Sequence, residues 1–241
     1  MLMPMITLKN ICKTFYTGSG TKEALKNISM EINSGDLVVI GGENGSGKSV
    51  LMSVIAGLEE ADRGTLTCTS RVGLVFQEAD TQILGETVEE DVAYGPKNLG
   101  MTKTAVRETV AKALNTVGLQ EKARYPARFL SGGEKRRLAV ACMIAMDFPV
   151  IIFDEPYANL DFGGVKQVNA LIQELKSQGK TIVILTHEIE KCLGLANRFI
   201  VLFRGEKVFD GTPEESLQTN VEQWNIRNPL VSYTTLKDLV W

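Results

Sequence analysis

The chain has little of several things that would point elsewhere. It holds one histidine and four cysteines in 241 residues, and Cys12, Cys68, Cys142 and Cys192 lie far apart with no C-x-x-C pair. The cysteines read as four reduced thiols of a cytosolic protein. No long block of one charge sign occurs, and 26 basic against 29 acidic side chains leave a formal net charge of −3. That balance gives no electrostatic reason to expect nucleic acid or an anionic membrane surface as the main partner. Long apolar runs are missing too: the longest lies around Leu138–Met146, far short of the ~20 residues that cross a bilayer. The opening MLMPMITLKN lacks a basic region followed by a long apolar core, so no secretory signal is expected. If the protein serves a membrane, another chain must supply the spanning part.

What is present is an ordinary globular composition, 44% hydrophobic and 23% charged. It suits one large domain, or one with a small attachment. Met5–Asn10 and Ile28–Ile32 alternate apolar and polar as half-buried strands do, with Gly18 and Gly20 marking a turn between them. Leu37–Ile40 (LVVI) suits a buried strand of a parallel sheet. A glycine-rich loop and then a helical stretch, SVLMSVIAGLEE, follow it. Residues from Thr81 to Met146 read mostly as helix, with Val106, Val110, Leu114 and Val117 at helical spacing. Beyond Pro149, strands are expected at Val150–Phe153, Thr181–Leu185 and Phe199–Phe203. A helix carrying Val165, Val168, Ile172 and Leu175 on one face separates the first two. Strands alternating with helices imply a mainly parallel sheet covered on both sides, interrupted here by a helical insert. No role is assigned to the tail after about Asn220, which contains Trp224 and Trp241.

Gly42-Glu43-Asn44-Gly45-Ser46-Gly47-Lys48-Ser49 fits the phosphate-loop pattern G-x-x-x-x-G-K-[ST]. Glycines let the backbone curl so that successive N–H groups face phosphate oxygens, and the following helix adds its positive end. Lys48 is placed to reach the β- and γ-phosphates and Ser49 to ligate Mg²⁺. Val150–Phe153 then runs into Asp154 and Glu155. Adjacent carboxylates with different jobs suit hydrolysis, Asp154 holding the metal shell and Glu155 handling the proton of the attacking water. His187 follows the strand Thr181–Leu185, at the end where α/β sheets keep their ligands, and is assigned to sensing the γ-phosphate. Leu130-Ser131-Gly132-Gly133-Glu134 opens another helix, with Ser131 as its cap and two glycines exposing N–H groups to an anion. One nucleotide cannot easily use both loops of one chain. A head-to-tail pair, each ATP held between one phosphate loop and the other chain's SGGE, is the economical explanation.

With these motifs in this order, residues from about Leu8 to Glu215 resemble an ATPase subunit of an ABC transporter. The resemblance implies an α/β fold: a P-loop NTPase core with a mainly parallel sheet, an N-terminal antiparallel β-subdomain and a helical ABC-specific insert. It would place the ATPase domain at 1–220, the insert at about 81–146 and a short tail at 221–241. It further implies that Gln77 is the Q-loop glutamine, touching metal and water and coupling to the membrane subunit. Asn159-Leu160-Asp161 would be the D-loop, His187 the switch histidine, and Phe15 the aromatic that stacks on adenine, with Tyr16 as the alternative. Two departures stand out: Val50 replaces the usual threonine, removing a hydroxyl contact to the α-phosphate, and Glu134 replaces the glutamine of LSGGQ. Asp80-Thr81-Gln82-Ile83-Leu84 and Thr87–Pro96 (TVEEDVAYGP) are similar to the ATPase subunits of energy-coupling factor (ECF) importers.

The expected function is therefore ATP hydrolysis, with ATP and Mg²⁺ bound, powering uptake of a vitamin or transition-metal ion. The expected partners are a transmembrane coupling subunit, a membrane substrate-binding subunit and a second ATPase subunit, identical or paralogous, with no nucleic acid. The place is the cytoplasmic face of the membrane, peripherally. The alternatives are an ATPase subunit of another ABC transporter class and a soluble non-transport ABC ATPase. A phosphate-loop kinase fits less well beside LSGGE and His187, and a non-catalytic regulatory module fits less well beside the complete set Lys48, Asp154, Glu155 and His187.

Overall fold

A computed structural model of the chain describes residues 4–18 and 20–231. Two sheets carry the fold. β1 (Pro4–Thr17) and β2 (Gly20–Asn33) form a long hairpin that turns at the two glycines. Both strands run well past the alternating segments. Register shifts between Leu8 and Thr14, with Asn10 and Asn27 at positive φ, interrupt the period of two and hide the strand from pattern reading. β3 (Leu37–Gly41) is buried throughout and leads into α1 (Lys48–Ile55). This helix stops earlier than SVLMSVIAGLEE suggests. Gly57 takes φ 71°, and the N–H groups of Gly57 and Leu58 close on the carbonyls of Val54 and Ser53, a left-handed glycine stop.

β4 (Arg63–Cys68) joins the other edge of β1, giving an antiparallel sheet in the order β2-β1-β4. The second sheet begins with β5 (Val72–Val75). Three helices follow: α2 (Val88–Asn98), α3 (Lys103–Thr116) and α4 (Gly132–Ala145). Thr87, Thr102 and Ser131 cap them through their hydroxyls. β6 (Val150–Asp154), α5 (Phe162–Ser177), β7 (Thr181–Thr186), β8 (Arg198–Phe203), β9 (Glu206–Gly211) and α6 (Pro213–Leu217) complete the order. The sheet runs β5-β6-β7-β3-β8-β9, parallel from β5 to β8 with β9 antiparallel at the edge. The fold is the mixed α/β class expected, with its antiparallel β-subdomain and helical insert.

Alternate residues of the central strands face two cores. Leu37, Val39, Ile151, Phe153, Ile182 and Ile184 pack with the helical insert and α5. Val38, Ile40, Val150, Ile152, Val183 and Leu185 pack with α1 and the antiparallel sheet, including Ile6, Leu8 and Leu25. The first core also takes in Val221 and Ile226, so the chain remains packed beyond α6. Trp241 lies outside the described residues.

Candidate nucleotide site

Four parallel strands deliver the expected residues to one edge. The phosphate loop follows β3, Asp154 and Glu155 end β6, His187 follows β7, and Gln77 comes two residues after β5. All four therefore sit at carboxyl ends of neighbouring strands, where an open α/β sheet binds ligands. The loop's glycines are required by space as well as by torsion. Gly42 has φ 151°, and a Cβ there would come within 2.2 Å of the Leu202 carbonyl oxygen. Gly47 has φ 109°, and its Cβ would meet the Ala24 carbonyl oxygen of the hairpin at 2.6 Å.

Lys48 is buried. Its Nζ donates to the carbonyl oxygens of Gly42 (2.7 Å) and Glu43 (3.1 Å) and stands 3.6 Å from Glu155 Oε1. Burial lowers the pKa of its ammonium, opposed by the charge of Glu155. Glu155 has φ 45°, an uncommon backbone for glutamate, and its N–H donates to the Leu185 carbonyl oxygen at 2.8 Å. That turn aims its carboxylate at β7. Oε2 accepts from Thr186 Oγ1 at 2.9 Å and from the His187 N–H at 3.3 Å, while Oε1 lies 3.0 Å from His187 Nδ1. Lys48, Glu155, Thr186 and His187 thus form one connected polar group.

Asp154 is 8% exposed and its Oδ1 has no hydrogen-bond partner among the described residues; neither has Ser46 Oγ. Burial raises the Asp154 pKa first, and the neighbouring Glu155 charge adds to it, against the Ser49 hydroxyl and Lys48. An orphaned carboxylate oxygen beside a serine hydroxyl fits a hard divalent cation. Among the described residues no group of three or more His, Cys, Asp or Glu side chains could hold a metal. One carboxylate and one hydroxyl suit Mg²⁺, which keeps waters and substrate phosphates as its other ligands.

Gln77 is exposed at its side chain, while its carbonyl oxygen accepts from Arg136 Nη2 of α4 at 3.2 Å. Gln82 spans the end of β5, donating to the Leu74 carbonyl oxygen and accepting from the Phe76 N–H, both at 2.8 Å. Lys135 of α4 pairs with Asp80. Two α4 residues next to Ser131–Glu134 thus grip the segment 77–80. The buried Asp91 carboxylate accepts from the N–H groups of Leu84 (2.7 Å) and Gly85 (2.8 Å). Gln82 and Asp91 stand in the DTQIL and TVEEDVAYGP stretches, but the sequence alone assigns neither of them, nor Arg136, a task, because the fold decides which groups they bind.

The signature is elsewhere. Ser131, Gly133 and Glu134 line a cleft of about 490 Å³ together with Asn159, Leu160 and Asp161, and no phosphate-loop residue lines it. Glu134 closes a capping box: its Oε2 accepts from the Ser131 N–H at 3.0 Å and Ser131 Oγ accepts from the Glu134 N–H. Lys122 Nζ lies 2.6 Å from Glu134 Oε1 and holds the carboxyl below its usual range. The carboxylate at this departure from LSGGQ is thus neutralised within its own chain. Gly132 begins α4, and Asp161 caps α5 by accepting from the Gly164 N–H at 2.7 Å. Phe15 lies half-buried on β1 with Lys13 Nζ 5.3 Å from its ring centre, and Tyr16 is 84% exposed. Val50 packs on the second core. Asn44 and Gly45 are exposed at the loop's tip.

Residues 25–158 match the sequence profile of the ABC transporter family. The Methanospirillum hungatei protein named energy-coupling factor transporter ATP-binding protein EcfA2 is 37% identical over 245 residues, covering 95% of this chain and 61% of its own length. The chain therefore spans less than two thirds of that relative. The structure of cbiO1 from Clostridium perfringens, described as part of the ABC transporter complex cbiONQ, superposes with TM-score 0.81 at 29% identity, over 94% of this chain and 96% of that one. The ATP-binding cassette MJ0796, a dimer in a post-hydrolysis state bound to ADP and phosphate, gives 0.78 at 28% identity, over 87% and 99%.

Proposed function

The chain belongs to the ABC transporter family, as an ATPase of the energy-coupling-factor type, and from that premise we propose that it powers uptake of a vitamin or transition-metal ion through separate membrane subunits. The observation that carries the chemistry is the connected group Lys48–Glu155–His187 at the carboxyl edge of the sheet, while SGGE and the D-loop share a different cleft. Each half of an ATP site is present once, and the halves face different places. Two chains head to tail complete two sites. A second copy of this chain satisfies that geometry, and a paralogue with the same motifs serves it equally.

In hydrolysis, water attacks the γ-phosphorus, Glu155 Oε1 takes its proton, and the bond to the ADP oxygen breaks to leave ADP and phosphate. Thr186 and His187 hold that carboxylate in one orientation, and His187 would contact the γ-phosphate from the same edge of the sheet. The Lys48 charge stabilises the negative charge on the transferring group. Asp154 and Ser49 would hold Mg²⁺, with Gln77 as a further donor, and the ion would supply neutralisation of phosphate charge. Phe15 supplies the adenine stack, and Ser131, Gly132 and Gly133 offer N–H groups to the nucleotide of the other chain.

Among the described residues no helix is long and apolar enough to cross a membrane. Exposed Leu84, Tyr94 and Leu99 border an apolar hollow of about 320 Å³ with Met143 and Met146, next to the Asp91-bound turn after the Q-loop. An exposed apolar hollow of this kind suits an amphipathic coupling helix of a membrane subunit at the cytoplasmic face. The test is affinity purification from native membranes in gentle detergent, with every accompanying chain identified. A transmembrane coupling protein and a small membrane binding protein are expected. Recovery of the chain alone, soluble and still hydrolysing ATP, overturns the transport reading and leaves the ATPase.

A further inference from the structure

The segment after α6 returns to the phosphate loop. Val221 and Ile226 are buried in the main core, with 2% and 3% of their surface exposed. Between them Trp224 packs on Phe209 (ring centres 6.0 Å) and Phe209 on Phe199 (6.1 Å). The Phe199 ring lies where a Cβ on Gly41, the residue before the loop, would fall at 2.8 Å. This aromatic line fixes Asn225, at φ 56°, so that its Nδ2 donates to Glu43 Oε2 at 2.7 Å. Glu43 stands inside the loop, and its own carbonyl oxygen accepts from Lys48 Nζ and from the Ser46 N–H.

We propose that Asn225 is a positioning residue for nucleotide binding: it ties back the Glu43 carboxylate, which would otherwise repel the triphosphate and compete for Lys48. The proposal rests on the reading of this loop as the ATP site. A carboxylate in a phosphate-binding loop opposes its ligand by like-charge repulsion, and a fixed neutral donor at 2.7 Å restricts where that charge can go. The tail, to which the sequence assigns no role, thereby becomes part of the nucleotide site's support.

The experiment uses the full chain with Asn225→Gly, which removes the amide yet accepts φ 56° without steric cost, alone and combined with Glu43→Gln. ATP binding, KM, kcat and Tm are measured, with Lys48→Ala as the control for the loop. Asn225→Gly should weaken ATP binding roughly three- to tenfold, the range for losing one hydrogen bond, with kcat retained and the penalty smaller at high salt. Adding Glu43→Gln should restore wild-type affinity, which a merely structural role would not do. Unchanged ATP affinity in Asn225→Gly, or a loss that Glu43→Gln leaves in place, overturns the proposal while wild-type binding keeps the loop reading intact. A wild-type chain that binds ATP no better than Lys48→Ala overturns both.

Discussion

In the proposed mechanism, Asp154 is the point where the needs of folding and of catalysis pull in opposite directions. Its carboxyl is buried, one oxygen has no partner among the described residues, and Glu155 adds a like charge next door. Its folded pKa is raised above the ordinary 3.8. A carboxyl with a raised pKa stabilises the fold at low pH, and that stability is lost as pH rises from 3.8 through the folded value. At neutral pH the charge is therefore a cost. Asp154→Asn keeps the shape, still accepts from Ser49 and removes the charge. Loss of that buried charge is worth on the order of 1–2 kcal/mol, and in a chain of this size that corresponds to a Tm rise of roughly 2–8 °C. With MgATP the order reverses. Ligand at about 100 times its Kd adds ~2.7 kcal/mol to a binding-competent fold. The wild type should gain that increment, and Asp154→Asn, lacking the carboxylate proposed for Mg²⁺, should largely forfeit it along with hydrolysis. The assay is thermal unfolding in EDTA and in MgATP, across a pH series. A variant less stable than wild type in EDTA at neutral pH refutes the reasoning, as does one that gains as much from MgATP.

Other consequences are simpler to read. Asp91→Ala leaves two backbone N–H groups of the post-Q-loop turn without their acceptor; a loss of about 2 kcal/mol should lower Tm by roughly 4–8 °C, and a Tm within about 1 °C of wild type contradicts the assigned role. Val50→Thr gives back the hydroxyl that the phosphate loop lacks, so ATP affinity measured by calorimetry should rise roughly two- to tenfold. Because Val50 packs on the apolar core, the same variant should unfold at a slightly lower temperature without nucleotide. Unchanged affinity would mean that the valine costs the site nothing.

The parts of the fold written in local chemistry were open to reading. LVVI beside a glycine loop, VIIFDE, and the capped helices at Thr102 and Ser131 each state their conformation within a few residues. The parts decided at long range were not. The outer half of the β1–β2 hairpin is concealed by bulges, and β4 is a largely exposed edge strand whose pairing with β1 supplies what its sequence does not. β5 is only four residues long with Gly73 inside it, and a Cβ there would strike Met143 of α4. The chemistry of the site followed the same division. Lys48, Asp154, Glu155 and His187 stand in motifs that name their task, whereas Gln82 and Asp91 stand in stretches whose task the sequence leaves open, and they, Arg136 and Asn225 act on groups that only the fold places.

In the proposed mechanism ATP is bound between two chains and hydrolysed with Glu155 as the base. The most direct test of that mechanism is the mass in solution of purified Glu155→Gln with and without MgATP, by light scattering after gel filtration. The expected result is a 26.4 kDa monomer that binds ATP, does not turn it over, and becomes a stable dimer with one nucleotide per chain. A variant that hydrolyses ATP at the wild-type rate, or that fills with ATP and stays monomeric, contradicts it.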